Sequence, residues 1–358
     1  MLSRVADSLY WINRYVERAD NFARFLEISI ALALDSGDEV RALWQPLLEA
    51  SRERQLFDQR YLICNGANCI DFLARRVDNP SSIVSCIAAA RENARQIRDV
   101  ITTEVWEQLN ELHWQLQDPA FWQQTTQEAM REIRRGCELF YGVMHATQSR
   151  DQAWDFAQLG RLLERADKTS RLLDANWLLS EAADGAGRSP FLDELHWIGV
   201  LRCLGAYQMF RQHSGQPIQR SSVTQFLLLD ARFPRSVRHC LEAISERLRA
   251  LLDDRKLVQQ LCHLDQLIER LQQSGTTRRR LFRLGGDLPI QAQQLSEDSR
   301  VAELEWLAGL LQARWRYLSL EELLGDGLHA SVARLQADLD RLDDLIHARY
   351  LFSEPVAG

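Results

Sequence analysis

Lysine is almost missing from this chain. Of its 43 basic residues only Lys168 and Lys256 are lysine, so nearly every cation is a planar guanidinium suited to gripping a carboxylate or phosphate. Long apolar runs are missing too. No stretch of about 18 apolar residues occurs, so no membrane-spanning helix is expected. The seven cysteines, Cys64, Cys69, Cys86, Cys137, Cys203, Cys240 and Cys262, contain no Cys-x-x-Cys pair. An odd, unpatterned set reads as reduced thiols in a cytoplasmic protein. Walker loops, Gly-x-Gly-x-x-Gly and Gly-x-Ser-x-Gly are all absent, which argues against nucleotide binding in those modes and against a serine elbow. The first residues, with Arg4, Asp7 and Arg14 around a short apolar run, are not expected to form a signal peptide.

What is present is the composition of a soluble globular protein. The chain has 358 residues, 46% apolar and 26% charged, enough to bury a sizeable core. A net charge of −7 argues against a general nucleic-acid binder, since those carry a basic balance.

One stretch occurs twice. Arg14-Tyr15-Val16-Glu17-Arg18-Ala19-Asp20, followed by Arg24 and Leu26, recurs as Arg161-Leu162-Leu163-Glu164-Arg165-Ala166-Asp167, followed by Arg171 and Leu173, at an offset of 147 residues. At about 3.6 residues per turn, Arg14, Glu17, Arg18, Asn21 and Arg24 share one arc. Ile12, Tyr15, Ala19, Phe22, Ala23 and Leu26 share an apolar one. The second copy sets Arg161, Glu164, Arg165, Lys168 and Arg171 against Leu159, Leu162, Ala166 and Leu173. Three readings stand open. The arc is a solvated face whose ion pairs contribute about 0.3–0.5 kcal/mol each, or a buried, fully paired network clamping the copies together, or a ligand or catalytic site.

Proline and glycine sit at the joints, and helical periodicity fills the segments between them. Helices are expected at 3–34, about 39–57, 67–77, 83–101, 104–117 (capped by Thr102 or Thr103), from Asp118-Pro119 to about Thr147, and at 152–180. Beyond a linker at 181–190 they continue at about 191–212, 217–229, 234–252, 256–273, 297–322 and 328–350. The stretch 274–296, with Arg278-Arg279-Arg280 and Gly285-Gly286, reads as a solvated irregular segment. No strand set emerges, so the class is all-α. A second match strengthens the repeat: Pro80, Ser82, Cys86, Ala89, Glu92 and Arg95 recur as Pro234, Ser236, Cys240, Ala243, Glu246 and Arg249 at an offset of 154. Together the matches predict a duplicated helical bundle of two repeats of about 150 residues, packed about a pseudo-two-fold axis. One domain covers 1–358, with repeats at about 1–150 and 151–325 and a final helix at 326–352.

The sequence resembles the alpha-E family of all-helical bacterial proteins with a repeated Glu-Arg motif. The resemblance rests on Ser8-Leu9-Tyr10-Trp11, Arg14 to Ala19, Asn79 to Ile83, Ala90 to Arg95, Phe140-Tyr141-Gly142, Leu159-Gly160-Arg161, Glu164 to Asp167 and Phe233 to Ser236. In one departure, Asn13 stands where the family commonly has a glycine that the second copy keeps as Gly160; without it the first copy is expected to pack less tightly. The resemblance implies companions such as circularly permuted ATP-grasp amide ligases, transglutaminase-like proteins and proteasome-like peptidases, hence a place in peptide synthesis or modification. It assigns no catalytic residue and no cofactor.

Other motifs carry less. Asp193-x-x-His196 is a lone approximation to the paired Glu-x-x-His of a di-iron bundle, so no metal site is expected. Cys86 and Cys240 read as small buried hydrophobes. Arg91, Arg95 and Arg98 share a helix face, and Trp106 and Asn110 could line a cleft beside it. The leading expectation is an accessory protein that binds a peptide or its ATP-grasp ligase through Arg14, Glu17, Arg18, Arg161, Glu164 and Arg165, with Arg91 and Arg95 extending the cluster. Self-association is compatible with it. The rivals are an amide- or aminoacyl-transforming enzyme with Glu17 or Glu164 as general base, and a purely structural scaffold. The base reading conflicts with the neighbouring arginines, which push a carboxylate pKa away from neutrality.

Overall fold

The computed structural model describes residues 1–36, 41–184, 190–251 and 297–351, and these are all-helical, with no strand among them. The expected helix at 256–273, the stretch 274–296 with its arginine run, and Cys262 lie outside the described residues.

Two long helices form the centre: α1 (Ser3–Ser36) and α8 (Gln152–Asp184). Between them come α2 (Arg41–Ser51), α3 (Arg54–Asp58), α4 (Gly66–Ile70, continued by a π turn to Arg75), α5 (Ile83–Gln96), α6 (Thr103–Gln117) and α7 (Thr126–Thr147). After α8 come α9 (Pro190–Cys203), α10 (Tyr207–His213), α11 (Arg220–Leu229), α12 (Val237–Leu251), α13 (Glu297–Tyr317), α14 (Leu320–Gly325) and α15 (Leu328–Ile346).

Sequence-level boundaries fail where one residue leaves the helical region. The segment expected at 39–57 breaks at Arg52, whose φ is 69°, and that at 191–212 breaks at Gly205, whose φ is 63°. The helix expected to start at Asp118-Pro119 starts at Thr126 instead. A short 3-10 turn comes first, and Thr125 and Glu128 then close a capping box that fixes the true N-terminus. α5 stops at Gln96, short of the expected Ile101. Thr102 is the cap of α6, its hydroxyl accepting from Val105 N at 3.4 Å. α8 runs through Asp184, into the stretch read as a linker.

Packing follows a regular scheme. α1 lies against α5 and α7, and α6 bridges those two. α8 lies against α12 and α15, and α13 bridges those two. The helix that follows each central one crosses over: α2 packs on α8, and α9 packs on α1. Both central helices are therefore surrounded, which is why their polar arcs are buried along with their apolar ones. Phe22, Phe25 and Leu26 have no exposure, and neither have Glu17 and Glu164.

A paired Glu–Arg core with one open arginine

α1 and α8 run side by side in the same direction. The amino group of Met1 donates to Gln152 at 3.3 Å, and Arg14 Nε donates to Glu164 at 3.1 Å. Between these points Gly160 faces the backbone of Tyr10 so closely that a Cβ there would lie 2.1 Å from the Tyr10 carbonyl oxygen. Glycine is required by this approach. Asn13, at the corresponding place on α1, is buried and donates to Leu9 O within its own helix at 2.9 Å.

This register interlocks the two Glu-Arg stretches. Arg165 Nε and Nη2 donate to the two Glu17 oxygens at 2.8 and 2.9 Å. Arg18 Nε and Nη2 donate to the two Glu164 oxygens at 2.6 and 2.9 Å. Each pair is the two-point grip that guanidinium geometry favours. Arg161 adds a longer contact to Glu17, 3.3 Å, and Arg14 adds its 3.1 Å contact to Glu164. The buried-clamp reading thus describes the arrangement, and the solvated-face reading fails.

Each glutamate also meets a third cation, and the two halves differ in its source. Glu17 receives Arg235 Nη1 at 2.9 Å from the turn before α12; the same side chain reaches Asn21 at 2.7 Å and Asp20 at 2.5 Å. Glu164 has Lys168 Nζ at 3.6 Å, from its own helix, and Lys168 also donates to Asp167 at 3.0 Å. Thus Asn21 stands where the second copy has Lys168, and Ser81 stands where the second half has Arg235.

Burial alone would raise the Glu17 pKa, but Arg165, Arg235 and Arg161 outweigh it and hold the carboxyl well below the usual range. Glu164 has the same balance: burial opposes Arg18, Lys168 and Arg14, and the net shift is strongly downward. Both are carboxylates at neutral pH, but with pKa values held this low they are too weakly basic to take up a substrate proton efficiently.

Arg14 and Arg161 hold equivalent places but have different surroundings. Arg14 is closed in: its Nη1 donates to Asp343 on α15 at 2.6 Å and to Tyr10 Oη at 3.3 Å. Tyr10 in turn donates to Asp343. Arg161 has no such carboxylate. Its guanidinium lies over the Tyr141 ring, 3.6 Å from the centroid, and its two Nη groups have no hydrogen-bond partner among the described residues. Its side chain is 23% exposed, against 9% for Arg14. Burial, and then the charge of Arg165, lowers its pKa, so this cation is under-compensated. It faces an open cleft of about 300 Å³ lined by Asp20, Arg24, Glu138, Tyr141, Arg165 and Arg235, among others.

Residues 1–281 and 283–351 match the family described as Alpha-E, a predicted alpha-helical domain with a conserved ER motif. The chain belongs to the Alpha-E family. Glu17-Arg18 and Glu164-Arg165 are Glu-Arg dipeptides at the centre of this Alpha-E fold. Similar curated proteins are an uncharacterized protein of Mycobacterium bovis and uncharacterized proteins of two Mycobacterium tuberculosis strains. Each is 24% identical over 331 residues, covering 86% of this chain and 35% of the relative. The chain thus spans about a third of the length of the curated relatives it matches. No solved structure matches it.

Not every expected site residue joins the Alpha-E core. Arg91 and Arg95 do not extend it. Arg91 Nε donates to Asn110 at 2.7 Å beneath Trp106 and Trp114, and Arg95 makes an exposed pair with Glu92 one turn away. Asp193 accepts from Ser180 at 3.2 Å, and His196 lies edge-on to Trp197. Cys86 and Cys240 are buried, as expected of small hydrophobes. Sequence reasoning set Lys168 on the charged arc but left it out of the cluster, and missed Arg235 and Asp343 as members of the network. The first two had a visible signal, since the copies differ at Asn21/Lys168 and at Ser81/Arg235 in a complementary way.

Proposed function

We propose that this Alpha-E protein is an accessory component of an ATP-grasp-dependent peptide or amide synthesis or modification system, and that it binds an acidic group of the peptide or of the ligase at the Arg161 cleft. The observation that supports this is the unequal treatment of two equivalent arginines. Arg14 has a carboxylate, Asp343, on its outer edge. Arg161 has the equivalent contact, to Glu17, and faces the cleft with no second carboxylate paired to it among the described residues. A ligand carboxylate supplies what Asp343 supplies in the other half. The rival reading of Glu17 or Glu164 as a general base is disfavoured by their lowered pKa values. A scaffold role accounts for the closed half of the network but leaves Arg161 without a reason.

The same reading takes the chain as two repeats related by a pseudo-two-fold axis. Support comes from the matching packing of α5 and α7 on α1, bridged by α6, and of α12 and α15 on α8, bridged by α13. The second repeat then extends through α15, rather than ending near residue 325 with a separate last helix. We place the protein in the cytoplasm, in keeping with the free thiols of the six cysteines among the described residues.

The test is capture of partners from the source cells by tagged wild type and by Arg161→Ala, with mass spectrometry of bound proteins and peptides. The proposal expects an ATP-grasp ligase or an acidic peptide on wild type, lost from Arg161→Ala while that variant still unfolds cooperatively and so remains folded under the capture conditions. Equal capture by both variants, or amide product formed by the isolated protein without a ligase, overturns it.

A further inference from the structure

Away from the ion-pair core, residues 61–70 form a small unit of their own. Asn65 caps α4, its side-chain oxygen accepting from Asn68 N at 2.9 Å. The residue before the cap is Cys64, and the fourth residue of the helix is Cys69. These are the two positions that an apolar staple joins across a helix N-terminus. Here both are thiols, with sulfurs 3.6 Å apart. Cys69 is buried and Cys64 is partly exposed, beside the exposed side chains of Leu62 and Ile63.

The electrostatics divide the labour between the two sulfurs. The hydrogen bond between the sulfurs, in which either can donate, favours the Cys64 thiolate with Cys69 as its donor and holds the Cys64 thiol down to about 7, against the effect of burial. Arg54 helps, while Asp58 and Glu49, which pair with Arg54, oppose it. Cys69 is raised by the same hydrogen bond and by burial. The other described cysteines have no thiol neighbour of this kind. Cys86 and Cys240 rest against the backbone carbonyls of Pro80 and Pro234, and burial pushes both up to about 12.

We propose that Cys64 and Cys69 form a redox-active pair that takes hydroperoxides as oxidant, with Cys64 as the attacking thiolate and Cys69 as the resolving thiol. With hydrogen peroxide, the Cys64 thiolate attacks one oxygen. An S–O bond forms, the O–O bond breaks, and hydroxide leaves and is protonated to water. Cys69 then attacks the Cys64 sulfenic sulfur. The S–S bond forms, the S–O bond breaks, and the departing hydroxide takes the Cys69 proton as a second water. Two thiols and one peroxide become one disulfide and two waters. Six residues of chain close the ring, and Cys64 lies outside regular secondary structure, in the segment before the helix.

The disulfide would turn the staple covalent. α4 rests on α2 through Gly66, where a Cβ would come within 2.8 Å of the Trp44 ring, and α2 packs on α8. Oxidation therefore fixes the exposed turn at Leu62 and Ile63 against an element of the central bundle.

The test uses the full chain carrying Cys262→Ser, treated with hydrogen peroxide, alkylated with iodoacetamide and digested for mass spectrometry. The expected result is loss of two hydrogens from the intact chain and a crosslinked Cys64–Cys69 peptide. Before oxidation, Cys64 should alkylate near neutral pH at least about tenfold faster than the buried cysteines. Cys69→Ser should stop at a dimedone-reactive sulfenic acid on Cys64, and Cys64→Ser should show no crosslink. Overoxidation of Cys64 without a crosslink in the unsubstituted pair, disulfides only between chains, or Cys64 alkylation no faster than the buried thiols overturns the proposal.

Discussion

Arg165 grips Glu17 with two nearly parallel hydrogen bonds of 2.8 and 2.9 Å, across the interface between α1 and α8. Neither side chain can lose its partner cheaply, because the glutamate is fully buried and the arginine 8% exposed. Glu17→Gln leaves Arg165, Arg161 and Arg235 facing a neutral amide. Stability should fall by about 3–5 kcal/mol, the usual cost of removing one partner from a buried ion pair. For a chain of this size that is a melting-temperature drop of about 4–7 °C. Glu164→Gln should behave alike. Calorimetry or urea titration checks both; a loss under about 1 kcal/mol would mean that the network is far wetter than its burial implies.

The acid limb of the stability curve follows from the same groups. Glu17 and Glu164 have folded-state pKa values well below the ordinary one of 4.5, and Asp343 is lowered to about 2 despite its burial, through His347, Arg14 and Tyr10. A group lowered on folding contributes stability that is present above its unfolded pKa and is lost as pH falls through its folded value. Stability should therefore drop steeply once pH goes below about 4. Glu17→Gln should flatten that limb, and an unchanged acid slope in the variant would contradict the assignment.

His347 works in the opposite sense. Burial lowers its pKa, but hydrogen bonds to the Asp343 side chain and backbone raise it more, and the net direction is up from 6.5. Its contribution is complete below about 6.5 and is lost as pH rises through the folded value. His347→Gln should remove a small decline in stability on the alkaline side of neutrality. An NMR titration placing the His347 pKa below that of a free imidazole would refute this.

Much of the core was legible because a helix keeps side chains in register. Equal spacing of Arg14, Glu17 and Arg18 and of Arg161, Glu164 and Arg165 already implied two matching faces. What spacing cannot convey is which distant segment arrives to complete them. Arg235 comes from a turn more than 60 residues beyond α8's pairing residues, as its contact with Arg165 through the Pro234 carbonyl shows. Asp343 comes from the last described helix. Arg95 misled for a local reason, since Glu92 on the preceding turn satisfies it before any tertiary partner can. The break at Arg52 has no side-chain signature, because a positive φ at arginine answers to the packing around it.

At Gly160 α8 meets the backbone of α1 directly. Gly160→Ala places a methyl on the Tyr10 carbonyl, and backbone cannot swing aside as a side-chain tip can. The helices must separate, which loosens the Glu–Arg grips on either side. The expected loss is at least about 1–3 kcal/mol, the cost of overpacking. Gly142→Ala is the control, since nothing lies within 4 Å of a Cβ at that position. Equal melting temperatures for the two variants would show that the close approach does not hold in solution.

The two halves solve one electrostatic problem in different ways, and the solutions should be exchangeable. Glu164 takes its third cation from Lys168, one turn along its own helix, whereas Glu17 takes it from Arg235 across the bundle. Arg235→Ser installs the residue that the first copy has at Ser81 and strips Glu17 and Asp20 of a shared cation. That change should cost about 2–4 kcal/mol, since buried carboxylates are left under-compensated. Asn21→Lys in the same chain places an ammonium one turn from Glu17, as Lys168 is from Glu164. Added to Arg235→Ser it should return about 1–2 kcal/mol; added to the wild type, with Arg235 in place, it should destabilise by crowding like charges. This sign reversal in a double-mutant cycle is the decisive measurement. Asn21→Lys destabilising both backgrounds equally would mean that the third cations are not interchangeable, and that the correspondence between the halves ends at the Glu-Arg pairs.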